Sequence, residues 1–139
     1  MITAPASVAI TTPEAVGVVN VTAQIRTALQ GTPIRRGIVV VTVPHTTCGL
    51  CVNEDEAGLK DDLKRLGAHL LDPLERHGPF HHDRIDDNAR AHLTSVLIGP
   101  SAILQVDEGD LRLGTWQSLF LLELDGPRSR RIEMIFIGE

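Results

Sequence analysis

Residues 37 to 43 read Gly-Ile-Val-Val-Val-Thr-Val, and no other stretch constrains the fold of this chain as strongly. β-Branched side chains are stiff about χ1 and suit a pleated strand better than a helix. The run shows no alternation of apolar and polar residues, which predicts a strand buried on both faces. Such a strand needs neighbours, so a sheet must be built around it. Pro44 ends the strand and His45 follows at once. A polar residue there is held by rigid backbone, as a functional site requires.

The other elements follow from similar signals. Val8–Thr12 and Val16–Val21 read as short strands, and Thr22 as the N-cap of a helix over Ala23–Gln30. Cys48–Asn53 reads as a strand. Asp55–Leu71 is the clearest helix, because Leu59, Leu63, Leu66 and Leu70 recur at spacings of four, three and four. Pro73 stops it. His77–Asp87 reads as an irregular polar loop, and a loop of this length is often functional. Asp87 is the expected cap of a helix over Asn88–Ile98. Ala102–Val106, Leu111–Leu113, Trp116–Leu124 and Arg131–Ile137 read as strands joined by turns at 107–110 and 125–128. Strands, then helices, then strands predict one α+β domain over residues 1–139, with a mostly antiparallel sheet and two to three helices.

Composition narrows the function classes. Aromatic residues are only 3% of the 139, with no Tyr, which argues against a base-stacking nucleic-acid platform. The net charge of -5 lacks the basic excess of a phosphate-backbone binder. Arg128, Arg130 and Arg131 form a local cluster suited to a small anion. No apolar run reaches the roughly 18–20 residues of a membrane span, and Met1–Ser7 does not resemble a secretory signal. The expected compartment is the cytoplasm, where Cys48 and Cys51 stay reduced.

Several residues carry candidate chemistry. Six histidines stand at 45, 69, 77, 81, 82 and 92. Imidazole is the commonest metal ligand and titrates near neutrality, so His45, His82 and His92 are either a metal or catalytic set or separately bonded structural rings. Their spacing matches no local metal motif. Cys48 and Cys51 lie three apart on a strand and point to opposite faces, so they read as packing residues and not as a redox pair. Glu54 is either a general base, a partner of a histidine, a metal ligand, or a charge near the start of the following helix. Trp116 reads as core or as an interface anchor, and Gln117 beside it needs a partner if buried. The turn Gly126-Pro127 aims Arg128 either at a phosphate or carboxylate, or at a surface ion pair.

Six stretches stand in order: His45-Thr46-Thr47, Asn53-Glu54, Phe80-x-His82, Asn88-x-x-x-His92, Leu113-Gly114-Thr115-Trp116-Gln117 and Glu123-x-Asp125-Gly126-Pro127-Arg128. Together they resemble the YjbQ-like proteins, an uncharacterised family also described as secondary thiamine-phosphate synthases. The match runs from about Val8 to the C-terminus. Phe80 stands where the family commonly has Tyr, and Cys48 where small residues such as Ala are usual.

The resemblance implies a compact α+β fold with a mostly antiparallel, β-sandwich-like core, and a homotrimer with a site near the subunit boundary, made by His45, His82 and His92. Glu54, Asn88, Trp116, Gln117 and Arg128 match its remaining motif positions, and Arg130 is a further anion-binding candidate. Three functions follow. One is the transfer that joins a hydroxymethylpyrimidine diphosphate to a thiazole phosphate, with Arg128 and Arg130 or a divalent cation neutralising the departing diphosphate. The second is metal-dependent hydrolysis of a small phosphorylated or carboxylated substrate, with the three histidines on the ion and Glu54 as base. The third is a non-enzymatic trimer that binds a metal or anion. The metal differs between these readings: Mg²⁺ prefers oxygen ligands, whereas three imidazoles suit Zn²⁺.

Overall fold

In the computed structural model, which describes all residues from Met1 to Glu139, the valine-rich run lies at the centre of a sheet. The elements are β1 (Ile2–Thr11), β2 (Gly17–Asn20), α1 (Thr22–Gln30), β3 (Gly37–Thr42), β4 (Cys48–Glu54), α2 (Ala57–His69), α3 (Asp72–Glu75), a 3₁₀ turn (His81–Arg84), α4 (Ala89–Ile98), β5 (Ser101–Asp107), β6 (Asp110–Leu111), β7 (Gln117–Glu123) and β8 (Ser129–Gly138). A five-stranded sheet runs β1-β8-β3-β5-β6 and a three-stranded sheet runs β2-β7-β4. All pairings are antiparallel. The fold is therefore α+β with antiparallel sheets.

β3 is buried on one face only. Val39 and Val41 are fully buried, whereas Ile38 and Val40 are half-buried. The ladder neighbours of Val40 are Ile103 of β5 and Ile135 of β8, and both are exposed. The absence of alternation thus reflects an apolar outer face that remains open within the chain, not a second core.

Val39, Val41, Ile132, Met134 and Phe136 of the large sheet pack with Leu50, Leu119 and Leu121 of the small one in an 18-residue apolar cluster, closed by Ile25 and Leu29 of α1. Side chains alternate along a strand. The opposite face of the small sheet therefore presents Phe120 and Leu122, and α4 packs beside it. Gly49 of β4 is the contact point: an added Cβ would lie 2.5 Å from Cγ2 of Ile98. Cys48 is fully buried in the main core and Cys51 belongs to the other face, and both thiols are free.

The helix signals need four corrections. Val21, not Thr22, is the N-cap of α1. Thr22 Oγ1 instead accepts the amide of Leu119, 2.8 Å away, and so ties α1 to β7. α2 starts at Ala57, capped by Glu56, whose carboxylate accepts the amides of Gly58 and Leu59. Its leucine stripe is only partly covered: Leu66 and Leu70 are exposed and no residue of α2 is fully buried. Pro73 does not end helical structure; it sits at the start of α3, where its missing N–H costs nothing. Asp87 has φ of 47° and does not cap α4. The N-cap is Asn88, while Asp83 from the 3₁₀ turn accepts the amide of Ala89 at 2.9 Å. No helix is long and apolar enough to cross a membrane.

Gly49→Ala forces α4 away from β4. The expected cost is about 1–3 kcal/mol, as for other overpacked sites, read as a lower urea midpoint at unchanged slope.

Candidate functional site

Glu123 and Arg130 each end an apolar row. Along β7 the core-facing side chains are Leu119, Leu121 and then Glu123; along β8 they are Phe136, Met134, Ile132 and then Arg130. The two meet where the sandwich opens. Arg130 Nε donates to Glu123 Oε2 at 2.8 Å and Nη2 donates to Oε1 at 2.6 Å. Arg130 Nη2 also donates to Thr47 Oγ1 at 2.8 Å. Glu123 further accepts the Thr12 hydroxyl at 2.7 Å and the amides of Leu124 and Asp125, each at 3.0 Å. Burial works against its charge, but Arg130, the Asp125 amide and Thr12 hold the carboxyl below its usual range.

Through Arg130 this pair borders an open cavity of about 600 Å³ whose eleven lining residues include no hydrophobic one. The β3–β4 turn supplies His45, Thr46 and Thr47, α4 supplies His92, and the β7–β8 turn supplies Asp125 and Arg128. Asp86 and Asp87, just before α4, also line it. The β7–β8 turn is tight: a Cβ at Gly126 would collide with the Glu14 carbonyl oxygen and the Glu123 side chain.

His45 Nε2 accepts the backbone N–H of Arg131 at 2.9 Å. In the neutral ring the proton must therefore reside on Nδ1. Burial, with the cations of Arg130 and Arg131, pushes the His45 pKa down, against the opposing pull of Glu123. His45 is thus a neutral ring that offers an N–H donor.

His82 has the opposite tautomer. Asn88 Nδ2 donates to Asp125 Oδ2 at 3.0 Å, so its Oδ1 is the atom 3.0 Å from His82 Nε2. An amide oxygen accepts, so His82 carries its proton on Nε2. The ring stands edge-on to His92, with centroids 4.8 Å apart and planes at 81°. Arg128 completes the chain of contacts, donating through Nε to the Asp125 carbonyl at 2.7 Å and through Nη2 to Asp125 Oδ2 at 3.1 Å.

The expected residues divide into two groups. His45, His92, Asn88, Arg128 and Arg130 line one cavity, and His82 touches His92 at its side. Glu54, Trp116 and Gln117 do not join them. Glu54 pairs with Gln117 at one end of the β4–β7 ladder, while Cys48 and Glu123, beside the cavity, pair at the other. Six residue steps of strand separate the two ends by about 20 Å. Trp116 is 72% exposed, which removes the core reading within one chain. Gln117 Oε1 accepts the Gly114 amide at 2.9 Å and so closes its own turn.

Arg130 is also corrected: its Nε and Nη2 are committed to Glu123 and Thr47, so it is a structural cation first. The three-histidine metal set does not fit one chain. No group of three His, Cys, Asp or Glu side chains is placed to hold an ion, and the Nε2 lone pair of His45 is occupied. The sequence motifs contain Glu123, Asp125 and Thr47 but assign them no role, and Thr12 is not singled out at all. A signal existed for the first: a lone carboxylate inside Leu-Phe-Leu-Leu-Glu-Leu must find a cation if it is buried.

Comparisons with known proteins agree with this architecture. The sequence model described as "UPF0047 protein YjbQ-like" matches residues 6–139. A UPF0047 protein of Archaeoglobus fulgidus is 40% identical over 122 residues, covering 87% of this chain and 91% of its own. One from Methanothermobacter thermautotrophicus is 37% identical over 124 residues, covering 89% and 85%. A crystal structure of a YbjQ-like protein of unknown function from Sulfolobus solfataricus P2 superposes with a TM-score of 0.91 at 34% identity, covering 99% of this chain and 98% of its own. A hypothetical protein from Aeropyrum pernix K1 gives 0.90 at 37%, covering 98% and 99%.

Two measurements check this electrostatic arrangement. In NMR titration His45 is expected to show the Nδ1–H tautomer and a midpoint below the ordinary 6.5. Glu123→Gln leaves Arg130 without a counter-charge, and the expected loss is about 3–5 kcal/mol in denaturant unfolding at neutral pH. Because the folded carboxyl lies below its ordinary 4.5, the stabilisation is present above that pH. It is lost as pH falls through the folded value, and the Gln variant lacks that part of the acid dependence.

Proposed function

The chain belongs to the UPF0047 protein YjbQ-like family, and from that premise we propose that its polar cavity binds a small molecule bearing a diphosphate, presented as the complex with a divalent cation. The observation that carries this reading is the mixed charge of the lining, where Arg128 and Arg130 stand among Asp86, Asp87 and Asp125. Glu123 already neutralises Arg130. Three carboxylates repel a bare phosphate, but a metal–phosphate complex can use both signs. Mg²⁺ is commonly held by one or two carboxylates together with substrate phosphates, without a dedicated protein cage. Arg128, exposed at the rim, is the side chain free to exchange its contact with Asp125 for a phosphate oxygen. His45 donates Nδ1–H without carrying charge.

The reaction that fits such a substrate is the transfer that the motif resemblance implies. The C–O bond between the pyrimidine methylene and the diphosphate breaks, and pyrophosphate leaves with the electron pair. The thiazole nitrogen forms the new C–N bond and becomes the thiazolium. No proton moves in that exchange, so the protein's contribution is to hold two phosphorylated molecules and to stabilise charge on the leaving group. The hydrolase alternative is less well supported, since Glu54 stands at the far end of its strand from the cavity.

The reading includes a homotrimer. Its support is the open apolar row Ile103-Val40-Ile135 across the large sheet. Contiguous exposed apolar surface commonly marks a protein interface. Light scattering of the full chain is expected to give three times the chain mass, and a monodisperse monomer would remove this part.

Calorimetric titration with Mg²⁺–pyrophosphate is expected to show one saturable site per chain. Arg128→Ala should weaken it about tenfold or more, the value of a charge-assisted hydrogen bond. A discontinuous assay with the pyrimidine diphosphate, the thiazole phosphate and Mg²⁺ tests the reaction itself. Binding without turnover above the blank would leave a binding protein, and no binding in folded chain would sink both claims.

A further inference from the structure

We infer that the protein has a second small-molecule site: the apolar cavity beneath α2, which takes a compact, neutral, largely apolar ligand with one hydrogen-bonding group. It lies on the other face of the small sheet and does not depend on the reading of the polar cavity.

The space arises from how α2 is laid down. The outer face of the small sheet needs cover, and the leucine stripe of α2 supplies it incompletely. A void of about 230 Å³ is left among Leu63 of α2 and its C-cap Leu70, Leu122 and Leu124 from β7 and its end, and Ile98 of α4. Protein interiors rarely leave voids much larger than a water molecule. An engineered apolar cavity of about 150 Å³ already admits benzene. The void here has room for a six-membered ring with a small substituent. Leu66 and Leu70, both exposed, mark its mouth.

Thr94 supplies the second observation. It is 1% exposed, it lines this cavity, and its Oγ1 has no hydrogen-bond partner. Buried hydroxyls without partners are uncommon because the lost hydration is not replaced. A ligand hydroxyl or ring nitrogen seated in the cavity would satisfy it. No charged group competes for that ligand. Glu123 also borders the cavity, but its carboxylate is held by Arg130. Cys51 lines the wall with its thiol pushed up by burial, so it stays neutral. The lining therefore selects against the phosphorylated molecules proposed for the polar site.

The test is a ¹⁵N NMR titration of the full chain with 4-methylphenol and, separately, with toluene, which lacks the hydroxyl. Saturable shifts at Cys51, Gly67 and Thr94 are expected for both, with 4-methylphenol about fivefold tighter through one added hydrogen bond. Thr94→Val should make the two affinities equal while the protein unfolds at the same temperature or higher, since an unpaired buried hydroxyl is removed. Cys51→Leu, which fills the void, should abolish both titrations with the amide of His92 unmoved. Shifts scattered over other surfaces, no saturation by either probe, or equal affinities in the unmodified chain would overturn the inference.

Discussion

The buried pair of Glu123 and Arg130 is the contact on which the rest of the site depends. It joins the end of β7 in the small sheet to the start of β8 in the large one. Thr12, just beyond β1, and Thr47, just before β4, bind the same two groups. Four chain segments from both sheets thus converge on one ion pair. A pair of this kind is rarely a net source of stability, since desolvating two charges offsets much of their attraction. Its value here is positional. A leucine pair would fill the volume equally well but would not orient the two turns that carry Asp125, Arg128 and His45.

From that anchor the charges run outward in a fixed order. Asp125 accepts from both Asn88 and Arg128, and Asn88 in turn fixes the tautomer of His82. His45 is fixed by a different contact, the Arg131 amide one residue beyond the anchor. The histidines are therefore not interchangeable. One offers a proton from Nδ1 and another a lone pair on Nδ1, and each state is imposed by a backbone or amide partner. Three imidazoles serving one ion would all need free lone pairs turned to a common point, which the Arg131 amide denies to His45. The arrangement suits hydrogen bonding to a polar substrate that brings its own cation.

Much of the fold was legible because it rests on local pattern. The valine run, the leucine spacing and the breaks at Pro44 and Gly99 place β3, α2, β4 and α4 to within a few residues. The convergence of His45, His92, Asn88 and Arg128 was legible through the ordered motifs. What escaped depends on distant partners. Thr22 looks like a cap in sequence, but its hydroxyl serves Leu119, 97 residues away. Arg130 looks like an anion ligand until Glu123 is seen to face it. Glu54 and Gln117 share motifs with the histidines, yet strand length carries them to the far end of the ladder.

α4 links the two cavities. His92 faces the polar one, and Thr94 and Ile98, further along the helix, border the apolar one. The helix rests on β4 at Gly49, where no Cβ can intervene, and Ser95 Oγ donates to the Cys48 carbonyl at 2.5 Å. β4 begins one residue after Thr47, the partner of Arg130. A small displacement of α4 toward or away from the sheet therefore shifts the His92 ring against His82 on one side and changes the room beneath α2 on the other. Close-packed elements transmit such shifts because they deform little.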